Sequence, residues 1–231
     1  MKTVSIIIPC YNEEKTLATV ITAVQKADVC GLQKEIIVVD DASKDKSVEI
    51  AATFPDIRVY KHEYNKGKGG ALITGMREAT GDIVLIQDAD LEYDPNEYPI
   101  LLKPILAGHA DVVYGSRFVG SRPHRVLYTY HYLGNRFLTL FSNLLTGLNL
   151  TDMETCYKVF TRSALDSFKN NLHAERFGIE PEITARVAQK KCRVYEVGIS
   201  YYGRTYSDGK KITWKDGVAA LWHILRFNLF P

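Results

Sequence analysis

The sequence predicts an α/β fold: a mostly parallel, twisted sheet flanked by helices, with amphipathic helices toward the C-terminus. Three observations carry this. Over the first 120 residues, short apolar runs rich in β-branched residues alternate with stretches whose apolar residues recur at helical spacing. Such alternation argues parallel strands joined by right-handed crossovers. Each apolar run also ends in polar, loop-forming residues, and ligands of open α/β sheets sit at the carboxyl ends of strands. Near the C-terminus, Val218, Leu221, Trp222, Leu225 and Leu229 again follow helical spacing.

In chain order, residues 4–8 read as a buried first strand, which Pro9 ends. Asn12 is expected to cap the next helix, with Glu13 and Glu14 in its first turn. Leu17, Val20, Ile21 and Val24 form its core-facing side. Residues 35–39 are a second strand ending in Asp40-Asp41, and the turn 41–45 leads into a helix over 46–53. Residues 57–60 are a third strand. The glycine-rich stretch 65–70 opens a helix over 71–79, and Gly81 precedes a strand over 82–86. A further strand spans 111–114, followed by Gly115-Ser116-Arg117-Phe118.

The 231 residues are 46% hydrophobic, enough for one large α/β domain or two small ones. A net charge of +2 provides no global basic field, so no nucleic-acid partner is expected. Cys10, Cys30, Cys156 and Cys192 show no zinc spacing, which fits a reduced, intracellular compartment. The apolar run at the N-terminus is too short for a signal peptide. No run of about 18 apolar residues suits a bilayer span.

The chemistry centres on Gln87-Asp88-Ala89-Asp90-Leu91-Glu92. On extended backbone, Asp88 and Asp90 point the same way. Carboxylates this close repel unless a cation sits between them. A hard cation such as Mg²⁺ or Mn²⁺, bridging to substrate phosphates, answers that need. The plain alternative is an acidic turn at a strand end. The turn Asn65-Lys66-Gly67-Lys68-Gly69-Gly70 raises the first reading, because a helix start offers free N–H groups and a positive dipole end, and Lys66 and Lys68 add charge. Together these features describe a phosphate-bearing nucleotide held with a metal.

Residues 4–14, Val38-Val39-Asp40-Asp41-Ala42-Ser43-Lys44-Asp45, the turn 65–70 and Asp88-Ala89-Asp90 together resemble family 2 glycosyltransferases, which have the GT-A fold. The resemblance implies a single domain over 1–231: a nucleotide-sugar part in 1–120, an acceptor part in 121–209 and an interfacial helix in 210–231. It implies that Pro9, Tyr11 and Glu13 lie against the nucleoside and that Asp41 meets the base edge. It also implies that Lys68, Asp88 and Ala89 lie along the nucleotide and that Asp88, Asp90 and Glu92 surround the metal. Residues 115–118, 152–160 and 201–204 resemble dolichol-phosphate or polyprenyl-phosphate hexose synthases. Glu92 departs from the Gln that some mannosyl members carry there. No Gln-x-x-Arg-Trp occurs, so a single transfer is favoured over processive synthesis.

The implied activity moves a hexose from GDP-mannose or a UDP-hexose to a polyprenyl phosphate, inverting the anomeric centre. An acceptor phosphate needs cations to hold it; Arg117 and Arg204 are favoured, with Arg125 and Arg136 as candidates that are equally well exposed surface residues. An acceptor hydroxyl would need a base. Asp152 and Glu154 are candidates, or partners for an arginine. Glu180 precedes a helix and fits its first turn, and the six histidines suggest no ligand set. A non-catalytic nucleotide-sugar-binding subunit is the remaining alternative.

Two apolar stripes bear on the membrane. Phe137, Leu140, Phe141, Leu144, Leu145 and Leu148 share one helical face, opposite Thr139, Ser142, Asn143 and Thr146. Such a face packs on a core or, for a polyprenyl acceptor, meets lipid. From Lys210 onward, Trp214 and Trp222 lie on an apolar face, with Lys211, Lys215, His223 and Arg226 opposite. That is the composition of an interfacial helix. It is equally that of a terminal helix packed on the domain, or of one covered by a membrane-anchoring subunit. The lipid readings place the protein on the cytoplasmic face of a membrane.

Overall fold

The computed structural model describes residues 2–120, 122, 123, 125, 126, 128–203 and 214–230, with the side chains of residues 214–216 outside it. Seven strands form one sheet: β1 (Thr3–Cys10), β2 (Gln33–Asp40), β3 (Ile57–Lys61), β4 (Ile83–Ile86), β5 (Val112–Ser116), β6 (Lys158–Thr161) and β7 (Val194–Gly198), in the order β3-β2-β1-β4-β6-β5-β7. β1 pairs in parallel with β2 and β4, β2 with β3, and β5 with β7. Val4, Ile6, Ile7 and Ile8 are all fully buried, so β1 is covered on both faces, as its apolar run, interrupted by the equally buried Ser5, requires.

β6 is antiparallel to both neighbours, β4 and β5. This reversal matters for the site. The segment that leads into β6 arrives at the same sheet edge as the carboxyl ends of β1, β2, β4, β5 and β7. A period-based reading of the sequence gives no strand here.

The helices are α1 (Leu17–Lys26), α2 (Ser47–Ala52), α3 (Gly67–Glu78), α4 (Tyr98–Leu106), α5 (Thr129–Thr146), α6 (Arg162–Asp166), α7 (Ile179–Gln189) and α8 (Trp214–Leu229). Leu17, Val20, Ile21 and Val24 are the buried face of α1, as their spacing predicts. The expected cap at Asn12 is corrected: α1 begins at Leu17 after Thr16. Asn12 adopts a φ of 53° and clips two loops together instead, donating from its N–H to Ser43 Oγ (2.9 Å) and accepting from Lys44 N–H (2.8 Å).

The start of α3 is also earlier than predicted, because Gly67, Lys68, Gly69 and Gly70 are already helical. Glycine is needed there for close approach rather than for a loop. A Cβ on Gly69 would lie 1.9 Å from the Ala174 carbonyl oxygen.

In α5 the polar face turns inward. Thr139 and Ser142 are its buried residues, while Phe137, Leu140 and Leu144 are 57%, 58% and 74% exposed. Thr139 Oγ1 accepts from the Met153 N–H (3.2 Å). α8 packs against α5 and α7 through Ala220, Ile224 and Phe227, leaving Val218, Trp222 and Leu229 exposed. Among the described residues, no helix is long and apolar enough to cross a membrane.

Candidate active site

One cleft of about 540 Å³ opens at the carboxyl edge of the sheet. Its lining includes Pro9, Tyr11 and Glu13 after β1, Asp41 after β2, Asp88 to Asp90 after β4, Arg117 after β5 and Tyr201 after β7. The starts of α3 and α7 and the inner sides of α5 and α8 complete it.

Asp41 is buried and accepts from the N–H groups of Lys66 (2.9 Å) and Gly67 (2.7 Å) and from His62 Nδ1 (2.7 Å). It therefore occupies the anion position at the N-terminus of α3. Gly70 N–H donates to the Glu175 carbonyl (2.8 Å). The expectation of free N–H groups in the glycine-rich turn is corrected at these three positions: protein oxygens already take them. What α3 contributes to the cleft is Lys68, whose Nζ lies 3.0 Å from Asp88 Oδ1 and 3.2 Å from Glu180 Oε1. Burial works against its charge, but Asp88 and Glu180 more than offset that, and its pKa lies well above the ordinary lysine value.

β4 ends at Ile86, so Asp88 and Asp90 stand on a turn rather than on the extended backbone the sequence suggested. Both nevertheless line the cleft with Ala89 and Glu92. Gln87 fixes this turn from below. It is fully buried, its Oε1 accepts from Tyr98 OH (2.8 Å) and Tyr157 OH (2.7 Å), and its Nε2 donates to the Asp88 carbonyl (3.0 Å). Thr16 Oγ1 donates to the Ala89 carbonyl (2.7 Å), and Asp90 Oδ1 accepts from Glu92 N–H (3.1 Å). Glu92 accepts from Tyr201 OH (2.8 Å).

Arg117 donates from Nε and Nη2 to the two oxygens of fully buried Asp152, at 2.7 Å each, and from its backbone N–H to Oδ2 (3.0 Å). Its guanidinium lies over the Tyr201 ring, 5.2 Å from the centroid. Of the two roles open to Asp152 in the sequence, base or arginine partner, the structure displays the second. Arg125 instead donates to the Gly203 carbonyl (2.6 Å), and neither Arg125 nor Arg136 is among the residues that line the cleft. Arg204, Lys210 and Lys211 lie outside the described residues, as do the side chains of Trp214 and Lys215.

Arg176, Phe177, Glu180, Glu154 and Cys156 also line the cleft, and only Glu154 and Glu180 were considered in the sequence. They arrive through the antiparallel β6 and the first turn of α7, so no strand-end signal marks them. Among the described residues, no group of three or more His, Cys, Asp or Glu side chains is disposed to hold a metal ion alone. Two hard carboxylates, Asp88 and Asp90, lining one cleft fit a cation that would complete its shell with oxygens of a bound phosphate.

The family model described as "Glycosyl transferase family 2" matches residues 5–168. The chain belongs to this glycosyltransferase family. It is 30% identical over 225 residues to a UDP-N-acetylglucosamine–dolichyl-phosphate N-acetylglucosaminyltransferase of Methanococcus voltae, covering 89% of this chain and 88% of that one. Over 120 residues it is 39% identical to a dolichol-phosphate mannosyltransferase of Pyrococcus furiosus, covering 50% of this chain and 33% of that one. The glucosyl-3-phosphoglycerate synthase of Mycobacterium tuberculosis, crystallised with Mn²⁺, UDP and phosphoglyceric acid, has the same fold. Its TM-score is 0.73 at 22% identity, over 100% of this chain and 80% of that one. The same enzyme has also been crystallised with Mg²⁺ and UDP. This family 2 glycosyltransferase is thus an enzyme with a GT-A fold.

Proposed function

We propose that the protein transfers a hexose from a nucleotide-sugar, GDP-mannose or a UDP-hexose, to a polyprenyl phosphate, with inversion and with Mg²⁺ or Mn²⁺. The observation that carries this reading is the Arg117–Asp152 pair. A hydroxyl acceptor needs a carboxylate to take its proton. Asp152, the candidate base, is sealed beneath Arg117 with both oxygens engaged. A phosphate acceptor is already an anion and needs cations, and Arg117 and Arg176 line the cleft. The dolichyl-phosphate chemistry in the names of two relatives supports the same acceptor class.

In this reading Pro9, Tyr11, Glu13 and Asp41 flank the nucleoside, and Lys68 and Ala89 lie along the diphosphate. Asp88 and Asp90 hold the cation, with Glu92 beside them. When bound, the cation neutralises the charge of the departing nucleoside diphosphate. The structural neighbour crystallised with UDP and either Mn²⁺ or Mg²⁺ supports this assignment. Arg117, with Arg204, orients the acceptor phosphate. One acceptor oxygen bonds to the anomeric carbon from the face opposite the diphosphate. The carbon–oxygen bond to the diphosphate breaks and its electron pair leaves with that group, which inverts the centre.

The exposed apolar residues of α5 and α8 would meet the bilayer that holds the acceptor, at its cytoplasmic face. The test is incubation with Mn²⁺ and GDP-mannose, UDP-glucose or UDP-GlcNAc, each with a short polyprenyl phosphate. One donor should give a glycosylated polyprenyl phosphate, and excess EDTA or Asp90→Ala should abolish it while the fold persists. Full activity in EDTA would overturn the metal assignment, and no product from any pair would overturn the transfer.

A further inference from the structure

Beyond Asp88, the cleft floor holds two acids that the roles above leave without work. Glu154 sits in the segment leading into β6, and Glu180 in the first turn of α7; both line the cleft. The nearby charges do not balance them. Lys68 is shared between Asp88 and Glu180, and Arg117 is committed to Asp152. Lys158 is buried, donates to the Thr155 carbonyl and lies over the Tyr114 ring at 5.1 Å; burial lowers its pKa. Glu154 forms no ion pair among the described residues. Its Oε1 and the Oε2 of Glu180 are enclosed polar atoms without a hydrogen-bond partner there. Enclosed polar atoms normally find partners, so this pair calls for explanation.

The chemistry of the pair excludes most ligands. A phosphate would be repelled by the Glu180 carboxylate. An apolar group would leave the oxygens of both acids unpaired. A metal held by the protein alone is disfavoured, because among the described residues no group of three or more His, Cys, Asp or Glu side chains is disposed to hold one. A neutral polyol fits, since each hydroxyl both donates and accepts. Burial, and then the neighbouring Glu180, push the Glu154 carboxyl up to about 8, so at neutral pH it is mostly protonated and can donate as well as accept. Position agrees. Lys68 Nζ touches both Asp88 (3.0 Å) and Glu180 (3.2 Å), so the acids lie one side chain from the carboxylate assigned to the diphosphate's cation, where the group carried by that diphosphate would arrive.

We infer that Glu154 and Glu180 bind neighbouring hydroxyls of the transferred sugar and thereby select which hexose the cleft accepts. This inference rests on the transferase reading above. Glu180 acts as a fixed acceptor held by Lys68, and Glu154 as a neutral donor and acceptor. A sugar lacking or inverting one of these hydroxyls leaves an enclosed acid unpaired, which sites of this kind penalise strongly.

The test is calorimetric titration of wild type, Glu180→Gln, Glu154→Ala and Glu154→Gln with UDP, GDP, UDP-glucose, UDP-GlcNAc and GDP-mannose. For the sugar nucleotide that wild type prefers, Glu180→Gln and Glu154→Ala should each weaken binding about ten- to a hundredfold. Affinity for the parent nucleoside diphosphate should stay within about twofold. Glu154→Gln, neutral and able to donate and accept, should lose far less than Glu154→Ala. Equal losses for sugar nucleotide and nucleoside diphosphate, or no loss for either, would overturn the inference while leaving the transferase reading intact. Should Glu180→Gln fail to fold once Lys68 loses a partner, the two Glu154 variants decide. A wild-type protein that binds the nucleoside diphosphates but none of the sugar nucleotides would overturn the transferase reading and this inference together.

Discussion

At the scale of single residues, the site is organised by a division of labour among acids. Asp41 caps α3, Asp88 neutralises Lys68, Asp152 locks Arg117, and Asp90 faces the cleft from a turn braced by Gln87. The sequence showed which acids stood near strand ends but not which cations each would meet, because pairing is set by tertiary neighbours. Asp41 illustrates this: the family resemblance implied a place at the base edge, and nothing local showed that its oxygens would also accept from the N–H groups at the start of α3. The Asp152 pair makes a stability prediction. Asp152→Asn strands the largely buried Arg117 guanidinium, and losing one partner of a buried pair costs about 3–5 kcal/mol. Urea unfolding should show a loss of that size; a loss below about 1 kcal/mol would mean that Arg117 is solvated or re-paired in the variant.

At the scale of elements, the first 120 residues were legible because their signals are local. Apolar runs, helical periodicity and strand-end polar residues mark β1 to β4 and α1, with errors of a few residues at the boundaries. The rest of the chain was less so. β6 is four residues long and antiparallel, and α5 turns Thr139 and Ser142 inward, so neither follows the periodic rule that hydrophobic faces meet the core. The glycines at the start of α3 were visible but assigned to a loop, since nothing local shows that residues 173–178 press against them. Gly69→Ala tests that contact. A Cβ there meets the Ala174 carbonyl at 1.9 Å, and overpacking of this kind costs typically 1–3 kcal/mol. A lowered melting temperature, with weaker binding of nucleotide-sugar as α7 is pushed outward, is expected. An unchanged melt would show that the 173–178 segment yields freely.

At the scale of the whole molecule, the reversal at β6 and the placement of α5 and α8 bring three kinds of surface to one side. The cleft, the arginines Arg117 and Arg176 that line it, and two packed helices with exposed apolar residues all belong to the carboxyl edge of the sheet or border it. The proposed transfer, from a soluble donor to an acceptor dissolved in a bilayer, would need such an arrangement. Phe137 and Trp222 are each more than half exposed, so replacing both with Ser should leave the melting temperature unchanged. Sedimentation with anionic liposomes should fall about tenfold or more, given the apolar area of two aromatic side chains. Equal sedimentation of wild type and variant would remove these helices from the membrane surface and point to a partner subunit over them. The central claim is that the acceptor is a phosphate. It is tested most directly by offering the enzyme, with Mn²⁺ and its preferred sugar nucleotide, a polyprenyl phosphate and the same polyprenol without phosphate. The account predicts a glycosyl phosphodiester of inverted anomeric configuration from the phosphate and no product from the alcohol; a glycoside formed on the alcohol as fast as on the phosphate would contradict it.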